Sequence, residues 1–159
     1  MPIRGLDLPD FTAYEPGKGQ NYLLCIGIDD YQHWPRLHNA VQDARAFAET
    51  LCQQYQFEPV QVKALYNEAA TERAIYQALR EFKQLLTPQD NLVLYFSGHG
   101  HYDPDFKEGH WIPVDARRDN EGDFLSNANI LKRIDALEAH HILLVIDSCF
   151  SGSLLSNLR

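Results

Sequence analysis

Asn91-Leu92-Val93-Leu94-Tyr95-Phe96 is a short apolar run that stops at Ser97-Gly98-His99-Gly100. A run this short and this apolar predicts a strand buried on both faces, as in a parallel sheet, with a polar cluster at its carboxyl end. The same pattern returns downstream, where His141 to Ile146 runs into Asp147-Ser148-Cys149, and upstream in Asn21 to Ile28. Val60 to Tyr66 alternates in period two and predicts another strand. Between these runs, Leu37, Val41, Ala44, Phe47, Ala48 and Leu51 recur three or four apart, which predicts an amphipathic helix over 37–55. Thr71 offers an N-cap for a second helix through Leu86, and a third helical pattern runs from Asn127 to Ala139. The stretch after Gly100 reads as irregular up to that third helix.

Strands alternating with helices predict an α/β fold with a mainly parallel sheet and helices on both faces. Functional groups in such sheets gather beyond the carboxyl ends of the strands, where both His99 and Cys149 fall. Adjacent strands lie about 4.8 Å apart, so if these two are neighbours their loops share one cleft. The run from Ile142 to Ile146 is apolar enough to need strands on both sides, yet only the segment to Arg159 follows it. The expectation is an unfinished sheet, completed by another polypeptide, by the remainder of a cleaved precursor, or by sequence absent from this chain. Residues 1–20 read as an N-terminal extension and 21–159 as one domain.

Composition narrows the function classes. The chain has 159 residues, 45% hydrophobic and 23% charged, as in an ordinary folded domain. Its formal net charge of −8 repels phosphate backbones and anionic membranes, so neither nucleic acid nor membrane is an expected partner. No apolar run approaches the roughly 20 residues of a membrane span. Cys25, Cys52 and Cys149 show no zinc-ligand or redox spacing and read as reduced thiols of a cytoplasmic protein. The segment from Met1 to Gln20 lacks the basic and apolar regions of a signal peptide.

Cysteine becomes a nucleophile near neutral pH when a base or imidazolium favours its thiolate. Cys149 stands in a strand-to-loop turn between Ser148 and Gly152, where backbone N–H groups can face a developing oxyanion. His99, between two glycines, has a similarly open setting. Cys25 and Cys52 read as structural, one in a strand and one on a helix.

With these residues in place, the chain resembles the caspase, metacaspase and paracaspase superfamily of cysteine endopeptidases over about Tyr22 to Ser153. The resemblance is carried by Tyr95-Phe96-Ser97-Gly98-His99-Gly100, by Ile146-Asp147-Ser148-Cys149-Phe150-Ser151-Gly152, and by Ile112-Pro113-Val114-Asp115-Ala116. Cys149 stands fifty residues after His99, the caspase spacing. It implies a caspase-like α/β/α sandwich that lacks the small-subunit strands. It also implies that Cys149 is the nucleophile, that His99 protonates the leaving amine, and that the amides of Gly100 and Cys149 form the oxyanion hole. Asp147 stands where aspartate-cutting caspases place glutamine. By the same resemblance it pairs with Asp43 in an acidic S1 pocket that selects Arg, then Lys. Relatives are often cut into two subunits, so Arg159 is a candidate processing site and the small-subunit fragment a candidate partner, beside a peptide or protein substrate. The implied roles are regulated proteolysis, cell death or defence signalling.

No cofactor is required by this chemistry and no metal site is expected. Where many metacaspases carry calcium-binding aspartates this chain reads Phe124-Leu125-Ser126-Asn127, so calcium activation is in doubt, and Asp115, Asp119 and Asp123 read as a solvated loop. Tyr102, Phe106 and Trp111 fit a core or lid role better than a cleft lining. Two alternatives remain at this point: an inactive interaction module on the same fold, and a metal-dependent hydrolase built on His99, His101, Asp103 and Asp105.

Overall fold

The computed structural model describes residues 18–148. Four parallel strands form the main sheet: β1 (Asn21–Gly27), β2 (Val62–Tyr66), β3 (Asn91–Ser97) and β7 (His141–Asp147), in the order β2-β1-β3-β7. Helices α1 (Ala40–Gln54), α2 (Glu72–Leu85) and α3 (Asn127–Asp135) connect or precede them. The expected α/β fold is observed.

Alternation along β1 divides the interior. Leu23 and Cys25 face α1 through Ala44 and Ala48, with Tyr95 of β3 beside them. Leu24 and Ile26 face the opposite layer, where Ile75, Ala78, Leu79 and Phe82 of α2 and Ile130 and Ile134 of α3 close a larger core. The layers are therefore α1 on one face and α2 with α3 on the other. The chain leaves β1 for β2 on one side and returns to β3 on the other, so strand order reverses between β1 and β3. A crevice at the carboxyl ends of such strands is where α/β sheets bind ligands.

Two local devices set α1 against this crevice. A Cβ on Gly27 would lie 2.8 Å from the Ala40 carbonyl oxygen and from the Ala44 Cβ, so only glycine lets the first turn of α1 rest on β1. The helix begins at Ala40, three residues later than the apolar periodicity predicts. The Asp29 carboxylate accepts the Ala40 and Val41 N–H groups at 2.9 and 3.1 Å, and the Asp29 carbonyl accepts that of Leu37 at 3.0 Å. Orphan donors of the first turn are thus met from eleven and twelve residues upstream, and 37–39 stay in the loop.

Other differences are also local. Pro59–Gln61 forms a 3-10 turn, so β2 starts at Val62. Thr71 caps α2 as expected, accepting the Ala74 N–H. α3 stops at Asp135, four residues early, where Ala136 and Leu137 donate to Arg133 and Ile134 in tighter turns. The stretch expected to be irregular holds a small antiparallel sheet of β4 (Gly100–Asp103), β5 (Glu108–Trp111) and β6 (Leu125–Ser126). Trp111, 2% exposed, stacks on Phe96 at 4.6 Å and anchors that sheet to the main core. Trp111 is a core residue, while Phe106 is exposed.

β7 departs from the buried strand expected. It pairs only with β3 among the described residues, and Leu143 is 56% exposed.

Candidate active site

The end of β3 is tied to its neighbours strand by strand. Ser97 pairs in register with Gly27 on one side and Asp147 on the other. Its carbonyl accepts the Ile28 N–H at 3.0 Å, and the Gly98 N–H reaches the Asp147 carbonyl at 3.3 Å. His99 therefore leaves the sheet two residues beyond a rung shared with Asp147, itself two residues before Cys149. Cys149 and Arg159 lie outside the described residues, as does the oxyanion amide expected at Cys149. Gly100, the other expected oxyanion donor, opens β4 opposite Trp111.

The loop between β1 and α1 encloses His99. The main-chain N–H of His99 donates to the Tyr31 hydroxyl at 2.8 Å, and its carbonyl accepts from Ile112 at 3.0 Å. The imidazole lies 4.8 Å from the Tyr31 ring and 5.5 Å from the Trp34 ring. Its Nε2 is 2.8 Å from the Pro35 carbonyl oxygen. A carbonyl can only accept, so Nε2 carries the proton and Nδ1 keeps its lone pair in the neutral ring.

Asp43, on the first turn of α1, and Asp147, at the end of β7, share the surroundings of Tyr95. Burial raises the Tyr95 phenol above its usual range, and the charges of Asp147 and Asp43 raise it further. Both carboxylates are exposed, and neither has a salt-bridge partner among the described residues. Tyr95 is held by stacking on Phe47 at 4.5 Å. These residues present negative charge beside Ser97, on the α1 side of the sheet.

The other cysteines behave as structural groups. Cys25 is fully buried, its Sγ 3.1 Å from the Ala44 carbonyl, and burial pushes its thiol up to about 11. Cys52 is a partly buried free thiol on α1.

The loop considered for metal binding is otherwise committed. His101 packs against His110 and Phe124, while the Asp103 carboxylate accepts the Asp105 and Phe106 N–H groups. Among the described residues, no three His, Cys, Asp or Glu side chains are placed to hold a metal ion. The aspartates expected to be merely solvated include two with structural partners. Asp115 accepts the Glu72 N–H at the start of α2, and Asp123 holds Arg117 and Asn120; Asp119 is exposed. No helix among the described residues is long and apolar enough to cross a membrane.

The residues missed from sequence are Tyr31, Trp34 and Pro35. Pro35 acts through its carbonyl, which leaves no side-chain signal. Tyr31 reaches a residue 68 positions away.

Comparison with known proteins agrees with this fold. The sequence model of the family described as the caspase domain matches residues 20–158. Metacaspase-1 of Pyricularia oryzae is 26% identical over 156 residues, a match covering 89% of this chain and 39% of that protein. The crystal structure of protein GSU0716 from Geobacter sulfurreducens superimposes with a TM-score of 0.68 at 22% identity, covering 87% of this chain and 54% of that one. The chain thus spans about two fifths of the curated relative's length and about half of the solved chain's.

Proposed function

The chain belongs to the caspase-domain family, and on that premise we propose that it is a cysteine endopeptidase cleaving after Arg, and less readily after Lys. The supporting observation is the shared rung of β3 and β7, Ser97 opposite Asp147, which starts the His99 and Cys149 segments from adjacent positions of one sheet end. In this reading the Cys149 thiolate attacks the scissile carbonyl, and the oxyanion is held by the Gly100 and Cys149 amides. His99, its Nε2–H bound to Pro35, takes the Cys149 thiol proton on Nδ1 as the thiolate forms and passes it to the departing amine; Nδ1 then accepts a proton from the water that hydrolyses the acyl-enzyme and returns it to the thiolate. No cofactor enters these steps.

Asp43 and Asp147 supply the charge that favours a P1 guanidinium. At ~4 Å and an effective dielectric near 20, one such pair attracts by about 4 kcal/mol before desolvation. Arg pairs with a carboxylate bidentately, which places it ahead of Lys. The reading further assigns Arg159 as a self-processing site. It assigns the small-subunit fragment of the same precursor as the partner that extends the outer edge of β7. A reducing, cytoplasmic setting and a role in regulated proteolysis, cell death or defence signalling complete it.

Fluorogenic peptides ending in Arg, Lys or Asp test the proposal on the full-length protein. Turnover should fall in the order Arg, Lys, Asp, vanish in Cys149→Ala, and be indifferent to a chelator. Asp147→Ala should lower Arg turnover at least about tenfold, or ~1.4 kcal/mol. No turnover of any peptide would favour an interaction module, and loss to the chelator would favour metal chemistry.

A further inference from the structure

We propose that Tyr31 is the positioning residue for the His99 imidazole, fixing the tautomer in which Nδ1 is unprotonated; its catalytic consequence rests on the protease reading above. Two contacts from one loop hold different ends of His99. The Tyr31 phenol oxygen accepts the main-chain N–H at 2.8 Å, while the Pro35 carbonyl accepts Nε2–H at the tip of the ring, also at 2.8 Å. The Tyr31 ring lies 4.8 Å from the imidazole at 52° and limits its rotation.

The neighbouring sequence accommodates this clamp. A Cβ on Gly98 would come 2.5 Å from the Tyr31 oxygen, so the phenol occupies the space that any other residue at 98 would fill. The loop that carries Tyr31 and Pro35 is itself fastened. Gln32 donates to the Val114 carbonyl and Leu37 to the Asp29 carbonyl, both at 3.0 Å, and Arg36 pairs with Asp30 at 2.8 Å. Burial holds the Tyr31 phenol well above its ordinary ionisation range, so the acceptor is a neutral hydroxyl throughout the working pH range. Loss of that oxygen leaves the His99 N–H without its acceptor and loosens the 98–99 segment, which then keeps only its main-chain bonds to Asp147 and Ile112. The ring tip then no longer meets Pro35 at a fixed distance, and both neutral tautomers become accessible.

Tyr31→Phe keeps the ring and removes only the acceptor. Nitrogen NMR of the 15N-labelled full-length protein, with the His99 signals identified by their loss in His99→Gln, reads the tautomer without need of turnover. The wild type should show His99 protonated at Nε2 alone when neutral, and Tyr31→Phe should show a mixture of the two forms. With an Arg peptide, kcat should fall about tenfold in Tyr31→Phe while KM stays within about twofold. A merely structural tyrosine would lower thermal stability and leave the tautomer unmoved; that result overturns the proposal. Absence of turnover in the wild type would count against the protease reading alone, since the tautomer comparison still decides the role of Tyr31.

Discussion

The two faces of the parallel sheet are finished to different degrees. On one, α2 and α3 cover β1, β3 and β7, and Ile142, Leu144 and Ile146 pack against a continuous core. On the other, among the described residues, α1 alone covers β1 and β3. There Val145 is partly buried, as Ile142, Leu144 and Ile146 are on the first face, but Leu143 is largely exposed, and the exposed carboxylates of Asp43 and Asp147 lie beside Tyr95. The same strands build both faces, so the contrast is not one of strand composition. One face is closed by two helices, and the other carries exposed charge and accessible surface.

Substitutions can sharpen that contrast or break it. The largest stability effect belongs to the covered face. Phe82 is 3% exposed in the α2 layer, and Phe82→Ala should cost about 3–5 kcal/mol in urea unfolding, by lost burial and the cavity left behind. Next comes Cys25, which lies under α1 in the small buried part of the other face. Burial raises its thiol to about 11 from an ordinary 9.0, so the folded state favours the protonated form. The sign follows: its contribution is intact below pH 9 and is lost as pH rises toward 11, because the unfolded thiol ionises first. The gap in urea midpoint between wild type and Cys25→Val should shift in favour of the variant over that interval. The smallest effect is expected at Leu143, where Leu143→Ser should change stability by no more than about 0.5 kcal/mol. A loss at Leu143 comparable to that at Phe82 would mean that the two faces are equally covered.

Much of this organisation is legible in the sequence, for a physical reason. Strands buried on both faces must be apolar throughout, so the runs ending at Gly27 and Ser97 announce themselves, and the first two helices declare their apolar stripes. The antiparallel β4, β5 and β6 do not, because strands of two to four residues with His101, Glu108 and His110 in them carry no period long enough to read. Helix boundaries moved where distant groups intervened. Asp29 caps α1 in place of the adjacent Asn39, which makes no side-chain capping bond. At the candidate site, motif position singles out His99, Asp43 and Asp147. The enclosure of His99 carries no such signal, because it depends on a main-chain carbonyl at Pro35 and a hydroxyl at Tyr31 brought near by folding.

The most direct test of the central claim is a peptide map of the full-length protein after reaction with one equivalent of a peptidyl-arginine chloromethyl ketone. The account predicts a single adduct on Cys149, blocked by excess Arg peptide but not by Asp peptide, and much slowed in His99→Ala. An adduct on Cys25 or Cys52 in preference to Cys149, or labelling of Cys149 at the same rate without His99, would contradict it.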